Sequence, residues 1–123
     1  MLTDTVTACS EEVVREFEGH PKVVEGIRNG RFIILRCGKY EVRVFKGQSR
    51  DYIVDPCRFC SCYEFVINVL SRRRRVACYH MVGFVIAERE GRVRVMNVDC
   101  SVIRDILIEI ALDGFSIKLR RYL

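Results

Sequence analysis

The sequence predicts an α+β fold in which helices surround a small antiparallel β-meander. Two observations support this class: apolar residues recur at helical spacing near both ends of the chain, and the middle holds β-branched and aromatic runs separated by glycine turns. The regular strand–helix alternation of a doubly wound parallel sheet is missing. With 123 residues, the chain has the length of one domain, so we expect residues 1–123 to form a single domain.

Two short helices are expected before the sheet. Ser10 precedes two glutamates, which is typical of a helix start, because the hydroxyl caps free N–H groups and the acids face the positive helix end. Pro21 should end this helix and open a second one, since proline is tolerated only in the first turn. Gly30 is expected to end the second helix.

Three strands should follow in the runs RFIILRC, KYEVRVF and RDYIVD, between residues 31 and 55. Turns are expected at Gly38 and at 47–49. In the second run, Tyr40, Val42 and Val44 alternate with polar residues, which predicts a strand with one face in water.

The remaining chain should return to a mixture of helices and strands. Apolar spacing predicts helices at 81–89 and 101–112, with a strand at 92–98 between them. At 115–120, apolar and polar residues alternate, which favours a final strand.

Composition indicates a folded chain with an uneven charge. Half of the residues are hydrophobic and 30% are charged, enough to bury a core. The net charge is +5, and residues 31–80 alone carry +7. Such a positive region attracts phosphates or acidic protein surfaces. We find neither a basic-plus-apolar leader nor an apolar run of about 20 residues, so we expect no membrane contact and a cytoplasmic location, or a nuclear one in a eukaryote.

The strongest chemical signal is the presence of two residue pairs with metal-ligand spacing, Cys60-x-Cys62 and Cys78-x-His80. Zinc favours four thiolate or imidazole ligands in a tetrahedron, and each pair brings two of them together locally. We therefore expect the cofactor Zn²⁺. A catalytic zinc needs an open position for water or substrate, so four protein ligands indicate a structural site and no enzyme.

The other cysteines leave an alternative open. Cys57-x-x-Cys60 is also a metal-type spacing, and a site built from Cys57, Cys60, Cys62 and Cys78 would leave His80 free. An odd total of seven cysteines fits poorly with a complete disulfide framework. Cys9, Cys37 and Cys100 stand alone, so we expect them to be buried, apolar thiols.

The two ligand pairs and their flanks resemble the SWIM zinc finger. CSCYEFVINVL is similar to the segment in which the first pair leads into a short helix, and CYHMVGFVIA to the segment in which the second pair opens a helix. The resemblance covers about residues 55–90, and these segments are similar to the SWIM subgroup of the Shu complex; SWIM fingers also occur beside transposases, kinases and ubiquitin ligases. That subgroup typically carries alanine three positions after the histidine, where this chain has Gly83.

This resemblance implies an accessory protein of homologous recombination. Its partner would be a RecA-like recombinase paralogue, and the pair would assist a recombinase filament on single-stranded DNA. The chain lacks a Gly-x-x-x-x-Gly-Lys-Ser/Thr loop, so we expect no bound nucleotide. Four apolar residues after the first ligand pair have helical spacing and are expected to contact the partner. They are Tyr63, Phe65, Val66 and Leu70.

Two other functions remain open on the sequence alone. The arginine run between the ligand pairs could bind nucleic-acid phosphates without sequence preference. It consists of Arg72, Arg73, Arg74 and Arg75. An enzyme would require Cys57 as a nucleophile or an open position on the zinc, and neither agrees with a filled tetrahedral site.

Overall fold

The computed structural model describes residues 10–74 and 77–123, and it confirms the α+β class. The helices are α1 (Glu11–Phe17), α2 (Pro21–Arg28), α3 (Tyr79–Arg89), α4 (Cys100–Asp113) and α5 (Ile117–Arg121), with a π-helix at Glu64–Ser71. The strands are β1 (Phe32–Cys37), β2 (Tyr40–Lys46), β3 (Asp51–Asp55), β4 (Phe59–Cys60) and β5 (Arg94–Asn97). Over these ranges, no helix has the length and apolar character needed to cross a bilayer.

The strands form one five-stranded sheet in the order β4-β3-β2-β1-β5. The predicted antiparallel meander is confirmed as β1 to β3, and the short strand β4 extends it. The strand predicted at 92–98 is shorter, and it pairs in parallel with β1, with Ile33 opposite Arg94. Parallel neighbours need a long connection, and here that connection contains both metal-ligand pairs.

The two N-terminal helices form as predicted. Ser10 caps α1, and its hydroxyl accepts a hydrogen bond from the Val13 backbone N–H at 3.3 Å. Pro21 opens α2, which ends at Arg28. Gly30 follows with φ +64°, a left-handed conformation that glycine adopts without strain.

Helices cover both faces of the sheet, so the predicted water-exposed face was wrong. In β1, Phe32 and Ile34 belong to one core together with residues of α1, α2 and α3. Ile33 and Leu35 belong to the opposite core with residues of α4. All four side chains are at most 4% exposed. In the neighbouring strand β2, Val44 and Phe45 likewise belong to opposite cores, whereas Tyr40 and Glu41 at its start are exposed.

The strand predicted at 115–120 is instead the short helix α5. Gly114, with φ +70°, ends α4 and turns the chain back. The Ser116 hydroxyl then accepts a hydrogen bond from the Leu119 N–H at 3.0 Å and starts α5. Leu119 is buried while Ile117 is 58% exposed. A serine cap and basic residues in the last turn were the signals for a helix.

Cys37 and Cys100 form a disulfide with a Cα–Cα distance of 5.4 Å, so the expectation of isolated buried thiols was wrong for both. Cys100 is exposed to solvent. The bridge ties the end of β1 to the start of α4 across 63 residues of sequence. A disulfide closing so long a loop stabilises a fold by about 2–4 kcal/mol. Cys9, the third of these cysteines, lies outside the described residues.

Helix α3 approaches the sheet closely at Gly83. A Cβ atom added there would lie 2.5 Å from Cζ of Phe32, and one added at Gly26 would lie 2.8 Å from Cε2 of the same ring. The Phe32 ring is fully buried and packs edge-on against Phe45 and Phe84, with ring centroids about 5 Å apart. The ring therefore has little room to move, and it occupies the space that a side chain at position 83 would need.

Gly83→Ala should destabilise the protein by about 1–3 kcal/mol, the usual cost of overpacking a core. Helix propensity alone would favour alanine by about 1 kcal/mol, so the sign of the change tests the contact. Urea unfolding measures this change in the free energy of unfolding. In a Phe32→Leu background the same substitution should be neutral or stabilising. An equal loss in both backgrounds would show that the Phe32 ring is not the obstacle.

Candidate metal centre

The two ligand pairs sit on elements that the sheet brings together. Cys60 ends β4, and Cys62 follows in the turn before the π-helix. The intervening Ser61 holds this turn against β3, because its N–H donates to the Ile53 carbonyl at 3.0 Å and its hydroxyl accepts from the Ile53 N–H at 2.9 Å. Cys78 caps α3, and His80 lies in its first turn.

The four predicted ligands converge on one buried point. Their ligand atoms all lie within 4.8 Å of one another. Sγ of Cys60 is 3.8 Å from Nδ1 of His80. Ordinary zinc–sulfur and zinc–nitrogen bond lengths at a tetrahedral angle imply about 3.6 Å between such atoms. Each of the four residues is at most 5% exposed. The cluster could therefore hold a metal ion.

The alternative ligand set that used Cys57 is removed by the structure. Cys57 is disulfide-bonded, so its sulfur is not available as a thiolate ligand. The free cysteines of the described residues are the three members of the cluster, Cys60, Cys62 and Cys78. His80, which the alternative left unused, points its Nδ1 at Cys60.

No family model, curated protein or solved structure matches this chain. The chemistry of the cluster therefore has to follow from its own residues.

The three thiols perturb one another strongly. Hydrogen bonds from Cys60 and Cys78 lower the pKa of Cys62, which favours the thiolate form of this residue. The contacts with Cys62 and Cys78, together with burial, raise the pKa of Cys60. Cys60 lowers the pKa of Cys78, but Cys62 and burial outweigh it and raise that pKa to about 12. A dication would displace the remaining protons, so metal binding should release them.

Aromatic rings surround the imidazole of His80. The ring centroids of Phe45, Tyr52 and Tyr79 lie 4.5, 4.7 and 4.1 Å from that of His80. Nε2 of His80 is buried and has no hydrogen-bond partner among residues 10–74 and 77–123. The rings exclude water from this side of the cluster. Phe45 and Tyr52 belong to the sheet, and no local sequence pattern connected them with the ligands.

The helix predicted after the first ligand pair is a π-helix, in which the Arg72 N–H donates to the carbonyl of Ile67, five residues earlier, at 2.8 Å. Such helices are rare and often occur at functional sites. Tyr63, Val66 and Leu70 expose 71%, 39% and 54% of their surface. Phe65 is 3% exposed, and its N–H donates to Sγ of Cys62 at 3.4 Å. Phe65 therefore supports the cluster from the core and cannot reach a partner.

The arginine run begins where the π-helix ends. Arg72, Arg73 and Arg74 are exposed, and none of them pairs with a carboxylate in the part of the chain that the structure describes. Arg73 has φ +52°, and the Arg74 N–H donates to the Asn68 carbonyl at 2.6 Å. Arg75 lies outside the described residues.

Proposed function

We propose that this chain is a zinc-stabilised adapter that pairs with a RecA-like recombinase paralogue and supports homologous recombination on single-stranded DNA. The recombination role rests on the resemblance of residues 55–90 to SWIM zinc fingers. Its support in the fold is the convergence of Cys60, Cys62, Cys78 and His80 on one buried point.

Zinc is the metal best suited to this ligand set. Three thiolates and one imidazole are soft and borderline ligands, and ligand atoms that all lie within 4.8 Å of one another are compatible with a tetrahedron. Four protein ligands complete the coordination shell and leave no position for water or substrate. The proposed role of the metal is therefore structural: it joins the turn after β4 to the start of α3. We propose no enzymatic activity for the cluster.

The observation that carries the adapter role is an exposed apolar surface attached directly to the cluster. This surface, the π-helix patch, consists of Phe59, Tyr63, Val66 and Leu70, which are between 39% and 71% exposed. Tyr63 follows the ligand Cys62 directly, so an ordered metal site would fix the position of the patch. Aromatic residues are enriched at the centres of protein interfaces. The exposed arginines 72–74 would favour a partner with an acidic rim.

Tyr63→Ala/Leu70→Ala should weaken binding of the partner by at least about 2 kcal/mol, or about 30-fold in Kd, because interface centres contain the most sensitive residues. Both side chains are more than half exposed, so the fold should be retained. The partner is first recovered with the tagged protein from nuclease-treated native extract. Its Kd is then measured by isothermal titration calorimetry.

The matched control is Ile108→Ala/Leu112→Ala. These side chains are 48% and 79% exposed on α4, so the control removes a similar exposed apolar area elsewhere. Its Kd should equal that of the unaltered protein. If the α4 variant loses the partner and the π-helix variant does not, the adapter surface lies on α4 and the proposed patch is wrong.

Direct nucleic-acid binding through the arginine run is the second candidate. Its support is that Arg72, Arg73 and Arg74 are exposed and have no carboxylate partner within the described ranges. Phosphate contacts of this kind weaken steeply as salt rises. If replacement of the four arginines 72–75 by serine leaves the affinity for single-stranded DNA unchanged, the run is not the contact.

A further inference from the structure

An open cleft of about 580 Å³ lies between α2, the β2–β3 turn and the first residue of α3. Its inner wall contains Phe45, Tyr52 and Tyr79, the same three rings that surround His80. The cleft and the metal cluster therefore share one aromatic wall. None of the predicted site residues lines it.

The rim of the cleft is positively charged. Lys22, Arg31 and Arg50 line it together with a single acid, Glu25. Glu25 is already used, because its carboxylate accepts from Nε of Arg31 at 3.0 Å. Lys22 and Arg50 form no ion pair with any described residue. No described carboxylate neutralises these two cations, and Nη1 of Arg50 packs against Gly114 at the end of α4.

Arg31 is held in place before any ligand arrives. Its side chain is only 12% exposed, and Nη1 donates to the Lys46 carbonyl at 3.0 Å. Burial, followed by the charges of Arg120 and Arg31, lowers the pKa of the neighbouring Lys46, as expected where positive charge is concentrated. A fixed guanidinium beside two further cations is suited to phosphate groups, which arginine binds through paired hydrogen bonds.

The aromatic wall offers hydroxyls and ring edges. Tyr79 stacks on His20 and tilts against His80, so its ring is already packed against two other rings. The hydroxyls of Tyr52 and Tyr79 form no hydrogen bond to residues 10–74 or 77–123. The ammonium of Lys22 lies 5.5 Å from the Tyr79 ring centroid, so a cation stands next to this wall. Phosphate and base contacts could therefore be made side by side.

The shape of the cleft favours a chain over a small molecule. Small-molecule pockets usually bury about 70–90% of the ligand, whereas here the residues along one side are exposed. These are Pro21, Lys22, Gln48, Ser49 and Arg50. A positively charged, open groove of this kind follows the backbone of single-stranded nucleic acids in many proteins.

We propose that this cleft binds a short segment of single-stranded nucleic acid. Phosphates lie against Lys22, Arg31 and Arg50, and bases lie against the edges and hydroxyls of Tyr52 and Tyr79. This proposal deepens the proposed function. The choice of a single strand as the ligand rests on that function. It assigns to this chain a contact of its own, made away from the partner-binding patch and from the arginine run.

The test uses the purified, zinc-loaded protein without a partner. Binding of a fluorescein-labelled 15-mer of thymidylate is followed by fluorescence anisotropy at several salt concentrations. Lys22→Gln/Arg50→Gln should reduce the affinity about tenfold or more, and the salt dependence should become shallower by about 1.4 in log–log slope, since two phosphate contacts are lost. Both residues are exposed, so these changes should not affect folding.

The matched variant Arg72→Gln/Arg74→Gln removes the same charge from the arginine run and should change the affinity much less. A loss of affinity confined to that variant would show that the cleft is not the binding site. The absence of measurable binding by the unaltered protein would also overturn the proposal. Thymidine monophosphate and inorganic phosphate serve as competitors. If the monophosphate binds as tightly as the 15-mer, the cleft is a small-molecule site and the proposal is wrong. Failure here leaves the Tyr63/Leu70 result unaffected, so the two proposals are tested separately.

Discussion

Cys62→Ser should abolish binding of the proposed metal and destabilise the region from β4 to α3 by several kcal/mol. The binding free energy of a structural zinc, about 10–16 kcal/mol in zinc-finger peptides, acts as folding free energy. Cys62 is 3% exposed, and its sulfur accepts the Phe65 N–H, so its loss also affects the first turn of the π-helix. The variant should therefore lose partner binding together with metal.

Metal content by elemental mass spectrometry and urea unfolding measure this effect. We expect one zinc per chain in the unaltered protein and close to none in Cys62→Ser, with a lower unfolding midpoint. A chelator should lower the midpoint of the unaltered protein and leave that of the variant unchanged.

Cys57→Ser is the control, measured in reductant because Cys57 is disulfide-bonded. It lies three residues before Cys60 and should retain the metal. Full metal content in Cys62→Ser would contradict the ligand assignment. One equivalent of a different metal in the unaltered protein would contradict zinc but not the site.

Substitution of Asp51 is the second change from which we expect a large loss of stability. It lies at the start of β3, is 1% exposed, and accepts a hydrogen bond from the Ser116 N–H at 2.8 Å. The same carboxylate oxygen pairs with Nη1 of Arg120. Arg120 in turn donates to the Gly47 carbonyl at 3.0 Å and lies 3.8 Å above the Phe115 ring centroid. Asp51 therefore joins α5 to the sheet through a buried charge pair.

Asp51→Asn should destabilise the protein by about 3–5 kcal/mol, since removing one partner of a buried pair leaves the other charge uncompensated. Arg120→Met removes the second charge. The double variant should lose less than the sum of the two single losses, with a coupling of about 1–3 kcal/mol. Urea unfolding of the unaltered protein, the two single variants and the double variant gives this coupling energy, provided that the free energy of unfolding has the same dependence on urea concentration in all four.

Asp105→Asn is the matched control, because Asp105 of α4 pairs with Lys118 of the same helix α5. Asp105 pairs with Lys118 at 2.7 Å, but both side chains are 33% exposed. Such a pair contributes about 0.2–1 kcal/mol, so the control should be close to neutral. Equal losses in Asp51→Asn and Asp105→Asn would show that burial of Asp51 does not determine its contribution.

Local signals were sufficient for much of the fold and of the candidate site. Ser10 and Pro21 predicted the first two helices because capping and proline geometry act within one turn. Cys60-x-Cys62 and Cys78-x-His80 identified the cluster because each pair is brought together by adjacent backbone. In these cases the deciding interaction lies within a few residues in the sequence.

The errors concern interactions between distant segments. The parallel pairing of β5 with β1, the Cys37–Cys100 disulfide and the contact of Asp51 with Arg120 each join residues more than 55 positions apart. The disulfide holds α4 against the second face of the sheet, and the contact of Asp51 with Arg120 holds 117–121 as a helix. The apolar–polar alternation at 115–120 favoured a strand, but the cap at Ser116 and the contact of Asp51 with Arg120 determine a helix.

The close approach of Gly83 to Phe32 also has an evolutionary consequence. A Cβ at position 83 and a phenyl ring at position 32 compete for one volume, so the two positions should change together in related chains. A relative with alanine at the first position should carry a smaller side chain at the second. Gly83 and Phe32 therefore form one packing unit, and a change at either position requires a compensating change at the other.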